Sequence, residues 1–128
     1  MRRFNICCAV VLFVVFRIYL IDCARAFPPS SLEKGSRYLT AKLRPELVRA
    51  WQGPPLSPDA FSNFRSGNAV EQQEQNQNVV QCTEWLLNEV IPNFARYLDA
   101  RKEDEEFDGQ SLVSDMHVRG INVRYLLL

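Results

Sequence analysis

The chain has 128 residues, enough for one ordinary domain and too few for two. Its 15 basic residues balance 15 acidic ones, so no whole-molecule field draws in nucleic acid or an anionic membrane, and such contacts would need a local patch. Apolar residues make up 47% of the chain, enough for a core, but they gather in blocks at residues 6–21, 79–98 and 121–128.

The four cysteines are Cys7, Cys8, Cys23 and Cys82. They show no C-x2-C spacing and no accompanying histidine cluster. That pattern suits buried or free thiols better than a metal site or a disulfide framework.

The N-terminus has two readings. Arg2 and Arg3 precede an uninterrupted apolar run at residues 6–16, and Ala24-Arg25-Ala26 has an A-x-A form. Eleven residues suit a signal-peptide core and fall short of the ~20 that span a bilayer. On the other reading, Ile18-Tyr19-Leu20-Ile21 is a strand, β-branched and aromatic, closed by Asp22 and Pro28-Pro29. Periodicity does not separate the two.

Residues 27–42 form a connector with turn chemistry at Pro28-Pro29, Ser30-Ser31 and Gly35-Ser36. A short helix is predicted over residues 45–51. Pro45 suits its first position, Glu46 complements the helix dipole, and Leu47, Val48 and Trp51 share a face. Gly53-Pro54-Pro55 stops it. Ser57-Pro58-Asp59 repeats the start signal, with Phe61 and Phe64 one turn apart. Residues 66–78 read as a polar linker. Its tract 71–78 (EQQEQNQN) lacks apolar surface to offset ordering, though it could supply the solvated first turns of the next helix.

That next helix carries the clearest pattern. Val79, Cys82, Leu86, Val90 and Phe94 recur at spacings of three and four. Pro92 predicts a break or kink near Ile91, with a second segment over residues 92–100. Residues 101–106 (RKEDEE) form a solvated charged stretch. Asp108-Gly109 marks a turn, Ser111 is the expected cap for residues 112–118, and Gly120 ends that helix in left-handed geometry. Asn122 can cap a last segment, residues 123–128. Its apolar end, Tyr125-Leu126-Leu127-Leu128, needs a covering surface. The expected fold is mainly α, α+β at most. Short helices and one long kinked helix follow an N-terminal strand or hydrophobic segment, in an incomplete domain that tends to associate.

Catalytic signals are missing from the sequence. His117 has no companion at metal-ligand spacing. Gly53 and Gly67 are isolated, and no G-x-S-x-G elbow occurs. The run Glu103–Glu106 is contiguous and solvated, without the burial that sets paired catalytic carboxylates apart. No catalytic, cofactor or metal residues are assigned. The nearest approach to an RNA-binding face is Arg119, Arg124 and Tyr125.

The tail carries a long and unusual motif. Asp108-Gly109-Gln110-Ser111-Leu112 is followed by His117-Val118-Arg119-Gly120-Ile121-Asn122-Val123-Arg124-Tyr125-Leu126. This closely resembles the clustered-mitochondria (Clu) family pattern D-G-x-x-L, then H-x-R-G-I-N-x-R-Y-L-G. Leu43-Arg44-Pro45-Glu46-Leu47-Val48 resembles the family's L-R-P-E-L-V, and Ile91-Pro92-Asn93-Phe94 its I-P-x-F. Residues 17–29 resemble the strand and loop before L-R-P-E-L. That match claims half of the signal-like segment for the folded domain and leaves residues 1–16 as a separate hydrophobic segment beside a partial Clu-type domain at 17–128. Ser30 departs from the family's frequent glutamate, and Leu127 from its glycine.

The resemblance implies a non-enzymatic cytoplasmic protein that keeps mitochondria distributed. It implies association with messenger RNA and with ribosome or initiation-factor proteins, no small-molecule substrate, and no cofactor. Membrane contact would fall to residues 1–21. The alternative is a small secreted or membrane-anchored protein. The residues implied to matter are Arg44, Pro45, Glu46, Leu47, Asp108, Gly109, His117, Arg119, Gly120, Asn122, Arg124 and Tyr125.

Overall fold

A computed structural model describes residues 11–14, 17–20, 26–31, 41–62, 68–101 and 108–127. The readings on residues 1–10, Cys23, Phe64 and Glu103–Glu106 lie outside the described residues.

Two strands come first, β1 (Val11–Val14) and β2 (Arg17–Leu20). They pair antiparallel, Val11 opposite Leu20 and Val14 opposite Arg17. Two residues separate them, the commonest hairpin connection. The pairing joins the two sides of the boundary expected at residue 16. The strand expected near Ile18–Ile21 therefore has a partner inside this chain. Val11, Phe13, Val14, Ile18 and Tyr19, five of the eight strand residues, are β-branched or aromatic, which suits extended geometry.

The rest is helical. Helix α1 (Pro45–Ala50) has Pro in its first turn and Glu46 at its positive end, as predicted. Leu47 is its buried residue, while Val48 and Trp51 pack against the core from its edge. Before α1, Pro29 and Lys42 form an antiparallel bridge. Ser30 N–H donates to the Ala41 carbonyl at 2.8 Å and Leu43 N–H to the Pro28 carbonyl at 2.9 Å.

The second start signal does not make a helix. Ser57 Oγ accepts from Asp59 N–H at 3.2 Å, but the chain closes into a turn over residues 58–61. Phe61 leaves it with φ of 62°, the left-handed region. Its N–H is taken by Asn76 Oδ1 at 2.7 Å instead of by a continuing helix. Ser57 and Pro58 can start a turn or a helix, and the Asn76 side chain at Phe61 decides.

Helix α2 (Ala69–Trp85) absorbs most of the expected polar linker. Asn68 caps it, its side chain accepting from Val70 N–H at 3.2 Å. Three amide side chains of the tract then hold the preceding loop. Asn76 takes Phe61 N–H, Gln72 donates to the Ser62 carbonyl at 2.7 Å, and Asn78 to the Pro55 carbonyl at 3.2 Å. Ordering these residues is offset by hydrogen bonds as well as by burial, a term that composition does not display.

Pro92 does not break the helix. The chain passes from α2 through a π turn, Leu86–Val90, straight into α3 (Ile91–Asp99). Ile91 N–H bonds the Leu86 carbonyl, five residues back. The irregularity sits where a break was expected, but the backbone stays right-handed helical throughout. Two causes converge. Pro92 has no N–H and its ring crowds the preceding turn. The apolar positions Cys82, Leu86, Val90 and Phe94 also repeat every four residues. In an α-helix each such step overshoots a full revolution by about 40°. A wider π turn holds more residues, so the step from Leu86 to Val90 falls short and offsets that drift.

Helix α4 (Gly109–Val118) starts earlier than expected. Asp108, not Ser111, is the cap. Its carboxylate accepts from Ser111 N–H at 2.7 Å, which holds its pKa below the usual carboxylate value. Gly120 ends the helix at φ 77°, as predicted. Asn122 Oδ1 then accepts from Arg124 N–H at 3.1 Å and starts the 3-10 turn Val123–Leu127.

The helices and the turns beside them share one core: Leu43, Leu47, Cys82, Leu86, Phe94, Met116, Ile121 and Tyr125. Fully burying a side chain such as Leu47 or Leu86 contributes roughly 1.5–3 kcal/mol. At the rim Trp51 meets Trp85, ring centroids 5.5 Å apart and planes tilted by 48°. Among the described residues no helix is long and apolar enough to cross a membrane.

Candidate functional site

Several of the implied motif residues meet in a junction between α1 and the C-terminal turn. Gly120 lies flat on α1. A Cβ there would stand 2.4 Å from Leu47 N and 2.6 Å from Leu47 Cα. This position therefore needs glycine twice over, for its left-handed φ and for close approach. Ile121 and Tyr125 follow into the core.

Around that contact the polar groups satisfy one another. Arg124 Nη2 donates to the Lys42 carbonyl at 3.2 Å and to Tyr125 Oη at 3.3 Å. Tyr125 Oη lies 3.0 Å from Ser30 Oγ, in a buried contact. Ser30 is itself buried, and its small hydroxyl fits against the tyrosine. Arg44 Nε donates to Glu46 Oε2 at 3.0 Å, and that guanidinium lowers the Glu46 carboxyl pKa. Pro45 opens α1, and Asp108 and Gly109 open α4. The His117 carbonyl accepts from Gly120 N–H at 2.9 Å. Each of these residues thus has a place in capping, turning or packing.

Arg119, Arg124 and Tyr125, the nearest approach to an RNA-binding face in the sequence, do not form an exposed stacking platform. Tyr125 is buried. Arg119 lies 4.0 Å over the Tyr97 ring and 5.2 Å from the Phe94 ring. This cation–π seat anchors the end of α4 on α3.

Arg119 also reaches a second cluster that sequence reading missed. Asp115 Oδ2 accepts from Arg101 Nη1 at 3.1 Å and from Tyr97 Oη at 3.2 Å. Arg119 Nη1 donates to the Asp115 carbonyl at 3.2 Å. An open groove of about 480 Å³ runs beside the cluster, lined by Tyr97, Arg101, Asp108, Gln110, Ser111, Ser114 and Asp115. Tyr97 on α3 and Arg101 just past its end are four apart, as are Asp115 on α4 and Arg119 at its C-terminal cap. That spacing was readable, but their meeting across two helices was not.

No reactive group emerges from these contacts. The Asp115 carboxylate is engaged by Arg101 and Tyr97. Burial pushes the Cys82 thiol up to about 12, which suppresses its thiolate. Among the described residues no group of His, Cys, Asp and Glu is arranged to hold a metal ion.

Comparison with known proteins bears on the same residues. The family profile described as translation initiation factor eIF3 subunit 135 matches residues 105–127, the stretch that builds α4 and the junction. A clustered mitochondria protein homolog of Vanderwaltozyma polyspora is 27% identical over 131 residues, covering 86% of this chain. The clustered mitochondria protein of Arabidopsis thaliana is 34% identical over 72 residues, or 56% of the chain. A homolog from Schizosaccharomyces pombe is 33% identical over 99 residues, or 75%. This chain corresponds to a segment of the Clu family. It spans 10%, 5% and 8% of the length of those three relatives. No solved structure matches it.

The Clu motifs L-R-P-E-L-V and H-x-R-G-I-N-x-R-Y-L lie far apart in the chain and meet in the fold. Leu47 from one supports Gly120 from the other. In this Clu segment most motif residues build the junction, while Asp108 caps α4 and lines the groove.

Proposed function

We propose that the chain is a non-enzymatic Clu-type segment serving the intracellular distribution of mitochondria. It works in the cytoplasm by binding, in association with messenger RNA and the translation machinery. The observation that carries this reading is similarity to a clustered mitochondria protein homolog over 86% of the chain. The match of residues 105–127 to an initiation-factor subunit profile supports the translation link. Residues 1–16 form a hydrophobic segment next to the Clu-type part.

The test uses cells of the source organism. Deleting the gene should collapse the mitochondrial network into clumps, and restoring the tagged full chain should disperse it. Ultraviolet cross-linking of the tagged chain should recover messenger RNA. Unchanged mitochondria after deletion would overturn the distribution reading. A cleaved product in the medium beginning near residue 27 would overturn the cytoplasmic one.

A further inference from the structure

We draw no further inference here: the strongest candidate, the open polar groove between the end of α3 and the start of α4 beside Tyr97, Arg101 and Asp115, has these groups already bonded to one another, and nothing in the structure shows what would fill it.

Discussion

Two parts of the molecule reach helical order by different means. Around Gly120 and Leu47, order comes from apolar burial and a backbone contact that tolerates no Cβ. Along residues 72–78, it draws on amide side chains that donate to or accept from the loop before α2. The first kind is concentrated, so a single atom too many matters. The second is spread over several exposed or half-buried bonds, each worth roughly 0.5–1.5 kcal/mol net. A polar tract can thus be ordered without joining the core, provided that its amides find backbone partners.

The sharpest way to break this contrast is Gly120→Val. It places a β-branched residue at positive φ and drives Cβ into the Leu47 backbone. Left-handed geometry alone costs about 1–2 kcal/mol, and the clash adds to it. We expect loss of cooperative melting by circular dichroism. Persistence of a wild-type melt would mean that the junction is not where stability resides.

Leu86→Ala comes next. Leu86 is fully buried at the start of the π turn. Such truncations cost about 2–5 kcal/mol. Urea denaturation should show a lowered midpoint, and a change below 1 kcal/mol on the scale of that principle would place Leu86 outside the working core.

Asn76→Ala tests the other region. It removes the acceptor for Phe61 N–H. The expected loss is about 1 kcal/mol. Hydrogen exchange should rise at Phe61 and leave the junction amides around Gly120 and Ile121 protected. Equal deprotection at both places would show that the two regions melt as one and that the contrast is only apparent.

The smallest effect belongs to Asp108→Asn. Its carboxyl pKa is depressed in the folded chain, first by the Ser111 N–H. A depressed carboxyl stabilises the fold fully above its unfolded pKa, about 3.9 for Asp, and loses that contribution as pH falls through the folded value. Asparagine caps without titrating. The variant should melt almost like the wild type at neutral pH and lose less stability between pH 4 and pH 2, on the range set by that pKa. An identical acid profile for both chains would remove Asp108 from the account.

How far the sequence foretold this varies by element. Pro45 with Glu46, Gly120 and Asn122 each combine a residue type with a local geometry, and all three were legible. Asp108 was read as part of a turn because D-G is a turn signal. A side chain that reaches Ser111 N–H makes the same residue a cap. The turn over residues 58–61 was obscured because Asn76 settles Phe61 from a distance. The start of α2 rests on the Asn68 cap, which the polar composition around it hid. The π turn was legible in principle. Strict four-residue spacing from Cys82 to Phe94 drifts around an α-helix, and Pro92 drew attention away from that drift. The Tyr97, Arg101 and Asp115 cluster depends on how α3 meets α4, which no local pattern records.

The pair at the rim gives the molecule a built-in optical gauge. Trp51 and Trp85 are the two tryptophans of the chain. Trp51 follows α1 and Trp85 closes α2, and their rings sit 5.5 Å apart at a 48° tilt. Two indoles so close and so oriented couple their electronic transitions. Their circular dichroism should carry a couplet that is lost when α1 lifts from the long helix, even if both helices persist. Undocking and unwinding can therefore be followed separately in an unlabelled sample.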